Sequence, residues 1–306
     1  MATKSVLPLF IIILLGILFS KTKVASPIWI DVLNKYALWI GFPALIIASL
    51  MKLDLTDNSY INLILFNSSY IVFSILLAYP ISLVFGLSKK MRSSLVLVLA
   101  FGNVAYLGMP VLRNIFGDSV MPVAAIIAAT YLFWLFSLGL VLVEVHETKN
   151  FKLSSILLNL IKNPLLISVL LSILIIFVNF NMPEVVEQTI NLFAQSVTAL
   201  VLFSLGMFLG FQKIGKLHEW LKIVIFALII ILILPGIYYV FLSNVSFSST
   251  FMKPSIIDAA MPVGITSYVL AEKYKLETTF VARLVVLTTL LAIVILPLWI
   301  MITNLA

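Results

Sequence analysis

The stretch FGNVAYLGMP, residues 101–110, carries an amide, two glycines and a proline inside an otherwise apolar block of the chain. Proline removes a backbone donor and clashes with the preceding helical turn, and glycine weakens a helix. A membrane-spanning helix that contains Gly102, Asn103, Gly108 and Pro110 is therefore expected to be interrupted. Unpaired backbone at that depth is tolerated only where protein buries it or where it lines a wet cavity. The stretch predicts a broken helix beside a cavity.

The composition is that of an integral membrane protein. Hydrophobic residues make up 63% and charged residues 10% of the 306 residues, whereas soluble domains carry roughly 45–50% and about 25%. The apolar residues fall in ten blocks of the length that a transmembrane helix needs. These blocks run over 6–20, 28–51, 61–87, 93–116, 121–145, 156–180, 185–211, 221–242, 255–273 and 280–302. We predict an all-α membrane protein of ten transmembrane helices, called segments 1 to 10, without a soluble domain.

The lysines and arginines are distributed unevenly between the two ends of these segments. If the segments alternate in direction, fifteen of the 19 basic residues lie on one side, and the other side has only Lys4, Lys52, Arg113 and Lys253. Cytoplasmic joints carry such an excess of basic residues. The bias predicts a multi-pass protein of the cell (inner) membrane, with both termini outside and the joints after odd-numbered segments cytoplasmic. The net charge of +7 reflects this topology, and no nucleic acid is expected as a partner.

The spacing of the prolines indicates an internal repeat. Pro8 and Pro27 lie 19 residues apart, and so do Pro164 and Pro183. An offset of 156 residues superimposes the two pairs together with the apolar blocks between them. Prolines gather at helix ends in any membrane protein, so some coincidence is expected. The identical spacing within matching blocks favours a true repeat.

The repeat divides the chain into residues 1–150 and residues 151–306, with five segments in each part. Because five is an odd number, the second part enters the membrane from the opposite side. The sequence therefore predicts a 5+5 inverted repeat about an axis in the membrane plane.

Segment 9 repeats the features of segment 4 in KPSIIDAAMPVGITSYVLAEKY, residues 253–274. Both segments are predicted to open near the bilayer centre, because proline and glycine fall in the middle of each. One proline kink often only shapes helix packing, but two at corresponding places of an inverted repeat are typical of a substrate site. The expected break residues are Gly108, Met109 and Pro110 in segment 4 and Met261, Pro262 and Gly264 in segment 9.

The ligand that such a site favours is an anion. The first N–H groups of a helix have no partner within the helix and lie at the positive end of its dipole. Two half-helices that begin at one point therefore attract negative charge. Asn103 adds two amide donors and one acceptor, and Arg113 either holds the charge of the substrate or extends outward to the interface. We predict a carboxylate-like ligand, with no metal and no cofactor.

Asp258 is the most deeply placed carboxylate of the chain, four residues before Pro262. An ionisable residue inside a membrane is by default a functional candidate. Asp258 is thus a candidate for coupling transport to the proton gradient. The alternatives are a carboxylate solvated near the outer interface, or a structural ion pair with Lys253 or Arg113.

The stretches behind these predictions resemble a known family. NVAYLGMPVLRNIFG (103–117) is similar to the fourth-helix motif of the auxin efflux carriers, and DAAMPVGITSYVLAEKY (258–274) resembles their ninth-helix segment. The resemblance implies that segments 4 and 9 cross, with Asn103 and Pro110 on one side of the crossing and Pro262 on the other. It also implies organic-anion transport by an elevator motion of segments 3–5 and 8–10 against a scaffold of segments 1, 2, 6 and 7. The short joint after segment 5 favours a bacterial-type carrier.

Other functions stay open at this point. A sodium-coupled organic anion symporter of the bile acid type has a similar ten-helix architecture, and a membrane receptor of the same fold would bind its ligand without moving it. An enzyme is not expected, because intramembrane proteases need a metal site, a serine with its base, or two aspartates. The sequence leaves open the substrate, the direction of transport, the coupling ion and whether the protein forms a homodimer.

Overall fold

The computed structural model describes residues 2–51, 53, 59–147, 153–212 and 220–305. In these ranges the chain is helical, and its only strand-like pairing is an isolated bridge between Gly102 and Val263. Several lysines that contribute to the predicted charge bias lie outside the described residues: Lys52, Lys149, Lys152, Lys213 and Lys216. The helices are α1 (Ala2–Phe19), α2 (Pro27–Leu50), α3 (Ser59–Val84), α4 (Lys89–Ala100), α5 (Val104–Phe116), α6 (Asp118–Glu147), α7 (Leu153–Ile161), α8 (Pro164–Phe177), α9 (Glu184–Phe211), α10 (Trp220–Ser243), α11 (Ser249–Ala259), α12 (Ile265–Lys273) and α13 (Thr278–Leu305).

The helix lengths agree with a membrane protein. Six helices are long and apolar enough to cross a membrane, namely α2, α3, α6, α9, α10 and α13. They correspond to segments 2, 3, 5, 7, 8 and 10. Segment 1 forms the shorter helix α1, and segment 6 comprises most of α7 together with α8. Segment 4 is divided into α4 and α5 and segment 9 into α11 and α12. The same order of long, short and divided helices recurs in the two parts of the chain, and the ten-span inverted repeat itself stays a prediction.

The predicted break around Gly108 and Pro110 is wrong in position. Segment 4 is interrupted at residues 101–103, and Pro110 lies inside the helix that follows. The π-helical turn at Val104–Gly108 explains the difference. The N–H groups of Gly108 and Met109 donate to carbonyls five residues earlier, those of Asn103 and Val104, and this wider turn accommodates a proline without ending the helix.

A π-helical turn followed by a proline also occurs in two other long helices. A π-helical turn at Ala37–Gly41 precedes Pro43 in α2, and one at Ile229–Ile233 precedes Pro235 in α10. In each case the proline follows the end of the turn by two residues, as Pro110 does. At these prolines the helix therefore continues through a wider turn and does not end. The second interruption differs, because residues 260–264 leave the helix around Pro262 and Gly264, where the sequence predicts a break.

Helix contacts form two groups, which also touch each other where α1 meets α5 and α13 and where α2 and α8 meet α6. In one group α1 and α2 both pack along α9, and α8 packs on α2. In the other, α3 packs on α4 and α6, while α10, α11 and α12 all pack on α13. The second group is closed by contacts of α4 with both α12 and α13 and of α11 with α6. The two broken segments therefore lie in the same group of helices.

The contact between α1 and α9 depends on glycine. A Cβ atom on Gly206 would lie 3.0 Å from the Cα of Gly16 and would overlap the carbonyl of Ile13. Gly206 and Gly210 form a G-x-x-x-G motif, and small residues of this kind allow two helix backbones to approach closely. The backbones of α1 and α9 touch at this motif.

Gly206→Ala is expected to destabilise the protein by about 1–3 kcal/mol, because the added methyl group meets rigid backbone and overpacks the interface. The matched change Gly236→Ala in α10 is expected to be neutral or to stabilise by up to about 1 kcal/mol. The nearest atom to a Cβ there, on Trp299, is 3.8 Å away. Free energies of unfolding of the two purified variants check this, and equal destabilisation by both would contradict the contact.

Candidate functional site

The two interrupted segments meet at their breaks. The N–H group of Asn103 donates to the carbonyl of Pro262 at 2.6 Å, and the N–H group of Gly264 donates to the carbonyl of Phe101 at 3.2 Å. These bonds form the antiparallel bridge between Gly102 and Val263. Buried backbone groups need partners. Each break therefore supplies hydrogen-bond partners for backbone groups of the other break, and the two breaks together form the candidate site.

Close approach at the bridge requires glycine at position 264. A Cβ atom there would lie 2.8 Å from the ring of Phe101 and 3.2 Å from the carbonyl oxygen of Gly102. The predicted site residues Met109 and Met261 are buried beside this contact. Gly264 therefore allows the two chains to pair.

A threonine that sequence reasoning missed supports the bridge from α13. The hydroxyl of Thr288 accepts a hydrogen bond from the N–H of Val263 at 3.0 Å and donates to the carbonyl of Leu284 at 2.6 Å. The signal in the sequence was a Thr-Thr pair in the middle of the apolar segment 10. Thr288 thereby ties the second break to a long helix.

Asn103 is buried at the bridge with an unused donor. Its side chain is 1% exposed, and its Nδ2 atom has no hydrogen-bond partner among the described residues. The carbonyl groups of Phe101 and Pro262 are already acceptors in the bridge. A buried amide without a partner is costly. The free polar group at the bridge is therefore a donor, which suits a ligand that supplies an acceptor.

Asp258 lies on the other side of Gly108. Its carboxyl is 1% exposed, both of its oxygens lack a hydrogen-bond partner in the described part of the chain, and Oδ1 packs directly against the place of a Cβ on Gly108. Arg113 pairs with Asp118 instead, at 2.5 Å, and the ion pairs found in the described ranges include none between Asp258 and Lys253. The structure thus removes both structural alternatives for Asp258. An isolated carboxylate is strongly disfavoured in such surroundings unless it takes up a proton or a cation.

Arg113 is not brought to the bridge. Its side chain is 36% exposed and lines a cavity of about 150 Å³ together with Ser49, Asp118 and Gln195. The sequence left two roles open for Arg113. Its position agrees with the role in which the side chain extends outward to the interface.

A larger cavity of about 360 Å³ lies at the opposite end of the bundle. Arg283 and Thr279 of α13 line it, together with Trp220, Gln212 and Tyr268. Tyr268 belongs to α12, the helix that begins just after the second break, and its ring contacts that of Phe208 in α9 at 5.0 Å. This cavity therefore lies between a broken segment and the helices around α9.

Comparisons with known proteins agree with these features. The family model described as "Membrane transport protein" matches residues 1–300. The chain is 28% identical to an uncharacterized transporter of Methanothermobacter thermautotrophicus over 307 residues, which cover 97% of each chain. It is 22% identical to the uncharacterized transporter YfdV of Escherichia coli over 316 residues, 98% of this chain and 96% of that one. Over 115 residues, 37% of this chain and 31% of the other, it is 26% identical to auxin efflux carrier component 8 of Arabidopsis thaliana.

Proposed function

Because the chain belongs to the membrane transport protein family, together with the auxin efflux carriers, we propose that it is a secondary carrier of a small organic anion such as a mono- or dicarboxylate. The family makes the protein a multi-pass membrane transporter and not an enzyme. The observation that carries the anion proposal is the buried donor of Asn103 beside the bridged breaks.

Helix polarity supports binding of an anion at the bridge. Both α5 and α12 begin there, at Val104 and Ile265, so the positive ends of two helix dipoles converge. The helices α4 and α11 also end there, but the bridge already uses the carbonyl groups of Phe101 and Pro262 as acceptors. The Asn103 amide and the first N–H groups of the half-helices are the groups proposed to bind a carboxylate.

The helix contacts support an elevator motion. The helices of segments 3–5 and 8–10 pack on one another, and those of segments 1, 2, 6 and 7 form the other group. The two groups meet where α1, α2 and α8 contact α5, α6 and α13. In the proposed mechanism the first group carries the bridge and its ligand across the membrane along the second. The cavity beside Arg283 then serves as the vestibule on the lysine-rich side, which the charge bias assigns to the cytoplasm.

Asp258 is proposed to couple this motion to an ion. Its unpaired carboxyl belongs to the second half of the chain and packs against Gly108 in the first half. A change in the charge of this carboxyl would therefore act directly on the first broken segment. A proton is the leading candidate, because it neutralises the carboxyl without needing further ligands. Sodium is the second candidate, since the same two free oxygens are hard ligands for a cation.

A thermal-shift screen of mono- and dicarboxylates on the purified full-length protein tests the binding part of the proposal. A ligand at a hundred times its Kd is expected to stabilise the protein by about 2.7 kcal/mol, which raises Tm by several degrees. Asn103→Ala is expected to lose this shift because the donor is gone, while its Tm without ligand stays close to that of the wild type. Asn244→Ala, at the exposed end of α10, is the control and should keep the shift.

Uptake of the same anion into liposomes tests transport. Uptake that follows the binding screen supports a carrier, whereas tight binding without uptake supports a receptor of the same fold. If no carboxylate stabilises the protein, and Asn103→Ala leaves the transport of a neutral solute unchanged, the anion proposal is wrong.

A further inference from the structure

A buried polar cluster extends from Asp258 toward one end of the bundle. It comprises Asn67 and Tyr70 of α3, Tyr131 of α6, Tyr238 of α10 and Ser255 of α11, and it is called the tyrosine cluster below. Each of these residues is at most 8% exposed. Polar side chains are expensive inside a membrane protein and mark ion or substrate pathways. The substrate site at the bridge does not use the tyrosine cluster.

Several atoms of the tyrosine cluster have no hydrogen-bond partner among the described residues. They are the Oδ1 atom of Asn67 and the hydroxyl oxygens of Tyr131 and Tyr238, and both carboxyl oxygens of Asp258 share this condition. Buried side-chain polar atoms normally have a partner. In proteins such atoms are usually satisfied by internal water, which needs two to four polar neighbours. The concentration of unsatisfied atoms in one region therefore indicates a hydrated path.

The members of the tyrosine cluster adjoin one another across four helices. The amide of Asn67 donates to the hydroxyl of Ser255 at 2.9 Å, and Tyr238 lies next to Ser255. The rings of Tyr238 and Tyr70 stack with 4.6 Å between their centroids, and the ring of Tyr131 lies 6.4 Å from that of Tyr70.

The inner end of the tyrosine cluster reaches Asp258. The hydroxyl of Tyr131 is close enough to the carboxyl of Asp258 for their charges to interact. The hydroxyl of Tyr70 donates to the carbonyl of Ala259, the residue after Asp258, at 3.2 Å. Tyr131 and Tyr70 are therefore the members of the tyrosine cluster that approach the candidate coupling carboxyl.

The residues of the tyrosine cluster lie at different depths, and Asp258 itself lies about 14 Å from the start of α11, between Asn67 and Tyr70 in depth, by a rise of about 1.5 Å per residue. At about 1.5 Å per residue, Tyr238 lies about 8 Å from the end of α10, and Ser255 about 9 Å from the start of α11. Asn67 and Tyr70 lie about 12 and 17 Å from the start of α3, and Tyr131 about 20 Å from the start of α6, by the same rise. A cavity of about 360 Å³ lined by Tyr239, Lys253 and Ile256 lies at the shallow end. The charge bias assigns this end to the outside.

We propose that the tyrosine cluster is a proton path that connects the outer face of the membrane with Asp258. This inference rests on the proposed coupling role of Asp258. A water or hydroxyl group donates its proton to the Asp258 carboxylate, and the group regains a proton from its outer neighbour, so that one proton enters and one O–H bond forms at Asp258. The tyrosines act as positioning and relay residues and keep their own charge state.

The groups around Asp258 suit a relay, because the titratable groups that face it are hydroxyls. Tyr131 of α6 lies near it. The Tyr70 hydroxyl of α3 donates to the carbonyl of the next residue, Ala259, and Gly108 of α5 packs against the Oδ1 atom of Asp258. The neighbouring charged side chains point elsewhere. Arg113 of α5 pairs with Asp118, and Lys253 of α11 lines the outer cavity. A proton that reaches Asp258 along this path therefore meets no fixed positive charge.

The test follows protonation of Asp258 in oriented liposomes that contain the full-length protein. Infrared difference spectra record the carboxyl band after the external pH is lowered rapidly, and loss of the band in Asp258→Asn assigns it. In Tyr131→Phe and Tyr238→Phe we expect protonation to slow at least about tenfold while its final amplitude stays the same. The free energy of unfolding of Tyr131→Phe should be unchanged, because a hydroxyl without a partner contributes no hydrogen bond to lose. That of Tyr238→Phe should fall only slightly, since its hydroxyl lies beside Ser255.

Tyr79→Phe is the matched control, since Tyr79 also lies in a long apolar helix but is outside the tyrosine cluster and 53% exposed. In this variant Asp258 should be protonated at the wild-type rate. Wild-type rates in both cluster variants would overturn the path and leave the coupling role of Asp258 intact. A carboxyl band that survives in Asp258→Asn would instead overturn the coupling role itself.

Discussion

Gly108→Ala is expected to impair transport strongly, although it adds only one methyl group. The new Cβ would overlap Oδ1 of Asp258, the carboxyl that packs against this glycine from the other half of the chain. Overpacking of a buried contact costs about 1–3 kcal/mol. Relief of the overlap requires movement of either Asp258 or the two breaks, so we expect uptake in liposomes to fall at least about tenfold, the change that corresponds to 1.4 kcal/mol.

Gly139→Ala is the matched control for this change. Gly139 also ends a π-helical turn and is also buried, but a Cβ there would meet its nearest neighbour, the Cβ of Ala100, at 3.5 Å. It should transport nearly normally. In the double variant Gly108→Ala with Asp258→Ala the overlap is gone, so the stability losses should not add. Additive losses, or normal uptake by Gly108→Ala, would contradict the close contact of the two halves at this point.

Asp258→Asn is expected to uncouple transport from the proton gradient. For one proton per substrate, a gradient of one pH unit supports about tenfold accumulation, since tenfold equals about 1.4 kcal/mol. The asparagine cannot take up a proton, so the accumulation ratio should fall to about one while exchange of labelled substrate continues. The amide has nearly the shape of a protonated carboxyl and leaves no buried charge, and we expect Tm to be unchanged or higher.

Asp118→Asn is the control, because this acid is exposed and pairs with Arg113. It should keep proton-driven accumulation. Accumulation by Asp258→Asn with the pH dependence of the wild type would exclude the proton role. Separate sodium and proton gradients identify the ion, and accumulation that follows sodium alone would assign the carboxyl to that cation.

Periodicity and composition predicted the helical membrane class well. The apolar blocks are so long that each corresponds to one helix or to two shorter helices in the structure. The interruption at Pro262 was also predictable, because this proline adjoins Gly264 and a run of small residues. The position of the first break was not predictable, because a π-helical turn accommodates Pro110. A proline alone does not indicate such a turn, since Pro8, Pro80 and Pro297 lie inside helices without one.

The candidate site was predicted in part. Asn103 lies at the bridge, whereas Arg113 lies away from it beside Asp118, a partner only five residues along the chain, and the binding role of Asn103 stays a prediction. The supporting residues were missed, since Thr288 and the tyrosines that approach Asp258 are far apart in sequence. A buried hydroxyl inside an apolar segment gives only a weak signal, because serine, threonine and tyrosine occur in many transmembrane helices that have no site.

The sequence by itself determined the class of the protein, the number of its apolar segments and the weak points in two of them. These properties follow from local physics, namely the cost of placing charge in hydrocarbon and the missing donor of proline. Only the tertiary structure decided that the two weak points pair through backbone hydrogen bonds, and that Asp258 lies against Gly108 without a partner of its own. Those contacts join residues about 150 positions apart, and whether a buried polar group is satisfied depends on its neighbours in space.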